Sequence, residues 1–456
     1  MKNKSNPYLR GTLLTAVITC GQAAHAVSAT WNGTTDAQWA TATNWSASPV
    51  PGSGDTATFA NAGGAVDVIG LGSGVTVESL LFDTSLAAAY TIGSGAVNSQ
   101  ALTLNNGGAI TLNSTVIRNQ IINASVILGT DGSTQGFTLT NQSTTPAISL
   151  TLAGTVSGSA GAGIKTLGVA GSAATRLTGV VANGSGGTLA IAKSGAGQLT
   201  LLGINTFTGG ITLGASAGTV LAEFSNTKNG LGTGPVVVGT GSTLQLNNIL
   251  TANTPPTLAN VFTGTGLLKL NFAAGTTARN TYVPNLGGFT GTIQLSTAGA
   301  TADKWNVNNG LNTSAPVLID SGAQLFLNSA AATFAGGITF TGTGNSENRG
   351  AIRLTSNLNA NLTVAGSGAT IGTEGGILTG NISANGDASD QTLTFAGAGN
   401  GNATVAGVIG NGAGQLILTK AATGNVTLTG TNTYTGATNV TAGVLTLAKS
   451  NTLSQY

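Results

Sequence analysis

One stretch of this chain occurs twice. Leu416 to Val440 aligns with Leu189 to Leu213 without a gap at an offset of 227 residues. The alignment pairs Lys193 with Lys420, Leu201 with Leu428, Gly203 with Gly430, Asn205 with Asn432, Phe207 with Tyr434 and Gly209 with Gly436. A repeated unit confines a chain to folds in which one local structure is stacked or arrayed. Its core, an aromatic, a small residue and Gly before an alternating strand, recurs in looser form at Phe289–Leu295 and Phe334–Phe340. The four aromatics lie 82, 45 and 100 residues apart, which excludes a fixed module length and admits a stack with variable loops. A second shared unit, strand, Gly turn, strand, links Val236–Leu246 with Val317–Leu327.

The same texture runs almost from end to end. Leu102-Thr103-Leu104, Ile110-Thr111-Leu112, Leu150-Thr151-Leu152 and Leu244-Gln245-Leu246 place apolar residues at i and i+2, the signature of a strand with one buried face. Between them sit Asn, Gly, Ser and Asp, which tolerate or supply the positive φ of tight turns. With 71 Gly and no amphipathic helical stretch, the chain reads as all-β. Short strands with frequent turns also suit a sandwich or barrel. Here each unit is too small to bury an apolar face without a stacked neighbour, which favours a solenoid. Coils of roughly 20 residues at the ~4.8 Å strand spacing would give a rod on the order of 100 Å long. Leu, Ile and Val would fill its core, and stacked Asn and Thr would add side-chain ladders.

The Lys-bearing strand followed by Leu-x-Gly-x-Asn-Thr-[Phe/Tyr]-Thr-Gly resembles the autotransporter-associated β-strand repeat of large secreted bacterial proteins. Its two full and two looser copies cover about a quarter of the chain. The resemblance implies a right-handed parallel β-helix and a cell-surface or extracellular passenger, and it implies no chemical activity.

Residues 1–26 read as a targeting segment. Lys2, Lys4 and Arg10 form a basic start, Gly11 to Cys20 a short apolar run, and Ala24 and Ala26 occupy the two positions that signal peptidase reads. The expectation is export. A competing reading places a lipid on Cys20 after Val17-Ile18-Thr19, which Thr before the Cys disfavours. No later run is apolar enough over about eighteen residues to span a bilayer as a helix.

Removing that segment takes away His25, Cys20 and three of the fifteen basic residues, so twelve Lys and Arg face thirteen acids, a net charge of −1. Scattered single charges give no footprint for nucleic acid or anionic membrane. Without His or Cys the mature chain has no Ser-His-Asp triad, no Cys-His pair and no His-ligated metal. No catalytic, cofactor or metal-binding residue is therefore assigned.

Carboxylate chemistry stays open, because glycoside hydrolysis needs only two acids roughly 5 to 9.5 Å apart. Asp387 and Asp390 are close in sequence but look like a turn. Glu347 with Arg349 and Arg353, near Glu374, is the best remaining cluster, read as an exposed salt-bridged loop. Gly195-Ala196-Gly197 and Gly412-Ala413-Gly414 read as turns, and Asn205 to Gly209, like Asn432 to Gly436, as a corner with an inward aromatic and a Gly at positive φ.

Residues 27–62 form the expected N-terminal cap, with Trp31, Trp39 and Trp45 in a frame completed by Asn44, Pro49, Pro51, Asp55 and Phe59. This frame resembles the head region of proteins that carry the repeat. It reads as a hydrophobic plug over the first coil, with a sugar-stacking platform as the alternative. Residues 63–456 form the expected β-helix, and its last repeat stops at Tyr456 inside a module. Three functions follow: a non-enzymatic, exported structural or adhesive passenger meeting surface glycans or other cell-surface material; a polysaccharide hydrolase or lyase on the same fold; or a truncated fragment of a larger surface protein. The first is preferred.

Overall fold

A computed structural model describes residues 28–448 apart from 63–65, 226, 250–257, 273–279, 282, 284, 308–309, 329, 387–388 and 398–400. Cys20, Ala24, His25, Ala26 and Asp387 lie outside the described residues. The chain is an all-β parallel solenoid of about 16 turns. Among the described residues the one helical element is a single 3-10 turn, Ala42–Asn44. None is a helix long and apolar enough to cross a membrane.

Alternation builds each strand and in-register stacking builds the core. In Ala101–Leu112 the side chains of Leu102, Leu104, Ile110 and Leu112 are fully buried, while the residues between point outward. Strands pair in parallel from coil to coil, so Leu80, Ile110 and Leu139 form one buried column. The column ahead of it carries Phe59 stacked on Phe82, with ring centroids 5.3 Å apart. Stacking like on like fills the interior without special shapes, which is why a sequence this rich in small residues still buries a continuous core.

Two expectations change in detail. The register joins Ile191 to Ile211, a step of 20, but Leu80 to Ile110, a step of 30. Coils are therefore mostly longer than 20 residues, and about 16 of them make a rod of only ~75 Å. The difference lies in the loops, which lengthen the coil without adding a rung. The expected side-chain ladder appears where Asn271 donates to Asn247 Oδ1 at 3.0 Å and accepts from Ser296 Oγ at 3.2 Å, three coils in succession.

The shared strand–turn–strand unit folds alike in both places. Val236–Val238 and Thr243–Asn248 flank Gly241 at φ 73°, and Val317–Ile319 and Leu325–Leu327 flank Gly322 at φ 85°. Stacking is what buries these strands. Leu428 is fully covered, whereas its register partner Leu447, on the next and last described coil, is 38% exposed.

At the other end the tryptophans form a plug. Trp31, Trp39 and Trp45 are at most 5% exposed and meet edge-on, with centroids 5.1 Å and 4.7 Å apart, all three packed on Phe59. Their indole N–H groups donate to the carbonyls of Val66, Pro51 and Trp39. With the ring faces covered, no indole of the cap is left for a sugar to stack on. The cap is continuous with the stack, because Thr56–Phe59 pairs in parallel with Ser79–Phe82.

Candidate functional site

The repeated motif is a coil joint. Lys193 ends the strand Thr188–Lys193 with its side chain buried, and its ammonium donates to the carbonyls of Ser194, Gly195 and Ala217 at 2.6–2.7 Å. Lys420 repeats the arrangement with Ala422 and Ala442, and Lys165 caps the carbonyls of Asp131 and Ser133. Each lysine thus ties a turn of one coil to a neighbouring coil. Burial pushes the Lys193 amine down to about 8 and lowers Lys420 as well.

The rest of the motif makes the opposite corner. Asn205 accepts from the Val181 N–H at 2.8 Å and donates to the Gly230 carbonyl at 2.8 Å, bridging the coils on either side. Asn432 accepts from Ile409 N–H in the same way. Phe207 and Tyr434 are fully buried, as are Phe289 and Phe334 of the looser copies. The glycine two residues after each aromatic does not sit at positive φ, contrary to the expectation from sequence. Its requirement is proximity: a Cβ on Gly209, Gly291, Gly336 or Gly436 would come within 2.0–2.5 Å of a carbonyl oxygen of the preceding coil.

The acidic cluster does assemble, and it gains a member. Arg353 holds Glu374 through two nitrogens, at 3.0 and 3.1 Å, and reaches Glu347 at 3.4 Å. Arg349 pairs with Glu374 at 2.7 Å, and Lys304 pairs with Glu347. Lys304 escaped the sequence reading because 43 residues separate it from Glu347. The Arg353 guanidinium also stacks on Phe326, 4.1 Å from its centroid. The cluster is half-buried rather than exposed, since the loop around Asn345 folds back and donates to the carbonyls of Ala302 and Asp303.

Burial alone would raise the Glu374 carboxyl, but hydrogen bonds from Arg353 and Arg349 and their charges hold it below its ordinary value. A carboxylate kept ionised, with both oxygens engaged by guanidinium groups, is suited to fastening a loop and unsuited to donating a proton as a general acid. Asp390 accepts from the Gln415 N–H one coil on, as a turn residue would. Among the described residues no three His, Cys, Asp or Glu gather in a way that would hold a metal ion.

The described residues also form a concave surface. A groove of about 620 Å³ runs along a corner of the solenoid, with Asn98 toward one end and Ser225, Thr227, Lys228 and Ile249 toward the other. Thr155, Thr178, Val180 and Ile204 form its floor, contributed by successive coils. Ile204 is 54% exposed there. Sequence reasoning missed the groove, because the residue between Gly203 and Asn205 looks like a free position of the motif.

A parallel solenoid whose repeated lysine, asparagine and glycine meet neighbouring coils is a protein built from stacked repeats. The passenger-associated-transport-repeat matches residues 191–222 and 418–447, over the two full copies, so the chain carries that repeat of autotransporter passengers twice. It is also similar to the adhesin BmaC autotransporter of Brucella suis biovar 1 (strain 1330), with 32% identity over 111 residues. That stretch covers 22% of this chain and 3% of the adhesin's length. No solved structure matches.

Proposed function

We propose that this protein is a non-enzymatic, exported β-solenoid passenger that stands at the cell surface or in the surrounding medium and makes structural or adhesive contact there. The observation that carries the reading is the use of the repeat. Its lysine, asparagine, aromatic and glycine all join coils, in a chain that carries the repeat of autotransporter passengers. Such a design extends a surface without committing any repeat residue to chemistry. The local likeness to an adhesin supports contact with surface material, and a surface sparse in charge suits uncharged material such as glycans.

The N-terminal segment fits this role, with Ala24 and Ala26 set for cleavage before Val27. The test is to express the whole chain in a Gram-negative host and follow its mass and place. A product starting at Val27, reached by antibody on intact cells or recovered from the medium, agrees with the proposal. A product that keeps Met1 or its initiator-processed start and stays in the cytoplasm overturns it.

A further inference from the structure

We infer that the corner groove between Asn98 and Lys228 is a binding site for a neutral, extended, β-linked polysaccharide. The inference rests on the adhesive reading above and names the surface that would do the binding. Three features of the groove narrow its occupant.

First, the groove is translationally periodic. Thr155, Val180 and Ile204 occupy equivalent corner positions of successive coils, since Val156 N–H donates to Val180 O and Val181 N–H to Asn205 Oδ1. A β-branched side chain therefore recurs at each ~4.8 Å step, which is close to the advance per sugar of an extended β-linked glycan. From the coil of Asn98 to that of Lys228 the groove is about 20 Å long, room for a short run of sugars.

Second, it is uncharged in effect. The one cation among its lining residues, Lys228, is paired with Glu223 at 2.7 Å. The rest of the lining combines hydroxyls, an amide and apolar side chains, with the half-exposed Ile204 offering the kind of surface that a pyranose ring face covers. An anionic or cationic polymer would find no compensating charge.

Third, the strands that lead into the groove, Ser149–Leu152, Ala174–Leu177 and Leu199–Leu201, are each paired on both sides. Thr155 N–H donates to Asn98 Oδ1 at 2.7 Å, and the neighbouring amides pair coil to coil. A peptide that binds by adding a strand needs an open sheet edge, and the groove offers none.

The experiment is calorimetric titration of the whole protein with cellohexaose, a galacturonate hexamer and an extended heptapeptide, repeated with Ile204→Glu and Leu86→Glu. Leu86 is 70% exposed and lies outside the groove, so both substitutions alter the surface and spare the core. The expected result is binding of the neutral hexasaccharide alone, about tenfold weaker in Ile204→Glu and unchanged in Leu86→Glu. Equal binding by Ile204→Glu overturns the groove assignment while leaving an adhesive protein. Preference for the acidic hexamer or the peptide overturns the ligand class. No binding of any probe overturns the site, and the adhesive reading is then judged separately by whether protein-coated beads attach to cell surfaces.

Discussion

The ammonium of Lys193 donates to the carbonyl oxygen of Ala217, 2.7 Å away and one coil further along the solenoid. A charged group is buried only when its hydrogen bonds are met inside, and here three carbonyls meet them. The lysine that marks the repeat in sequence is thus an internal tie rather than a surface charge.

This tie has a pH signature. With the Lys193 amine at about 8 when folded against an ordinary 10.5, the unfolded chain binds more protons between those values. Stability therefore rises as pH goes from about 8 toward 10. Burial raises the Tyr90 and Tyr434 phenols, so their contribution is full below pH 10 and falls above it. Urea unfolding from pH 7 to 10 checks this: wild type should gain on Lys193→Met across the window, and a constant difference would contradict it.

The corner glycines are required for proximity. Gly209→Ala puts a methyl group 2.5 Å from the Leu189 carbonyl oxygen and should cost about 2 kcal/mol or more. Gly136, where an added methyl group would meet nothing within 4 Å and φ is not positive, is the control. Gly136→Ala should change stability by no more than about 0.5–1 kcal/mol and should not lower it strongly. Equal losses in both, by thermal or urea unfolding, would contradict the assignment.

The ion cluster fastens the loop that carries Asn345. Glu374→Gln leaves Arg349 and Arg353, 32% and 16% exposed, without their shared partner and should cost about 2 kcal/mol. Because the folded carboxyl lies below its ordinary 4.5, its contribution is present above that value and is lost as pH falls through the folded one. Hydrogen exchange across 343–350 should quicken in the variant at neutral pH and in wild type only in acid.

The tryptophan plug guards the first coil. Trp45→Ala should cost about 3–5 kcal/mol and uncover the strand Ala29–Thr30, which pairs with Thr56–Phe59 on one side and is covered on the other by Ser46, whose N–H donates to the Thr30 carbonyl. Light scattering should show association of the variant through this exposed edge, whereas a monomeric, equally stable variant would deny the cap its role.

Much of this was legible in the sequence because stacking repeats itself. Leu102-Thr103-Leu104 announces its buried face, and Phe207 and Tyr434 announce a shared corner. What stayed hidden depends on contacts between coils. Nothing local marks Lys193 as buried or tells that Gly209 faces the carbonyl of Leu189 rather than a strained turn. Lys304 meets Glu347 only after the intervening coils are wound, and the groove at Ile204 is lined by residues as far apart in sequence as Asn98 and Ile249.

Equivalent residues of successive coils lie directly over one another. Thr212 and Val237 are register partners that point outward, within the ~4.4–6.8 Å Cα range a disulfide spans, while Thr263 lies a further coil on. In a Cys20→Ser background, Thr212→Cys with Val237→Cys should form an intramolecular disulfide under mild oxidation, and Thr212→Cys with Thr263→Cys should stay reduced. A reduced first pair, or equal linking of both, would contradict the solenoid.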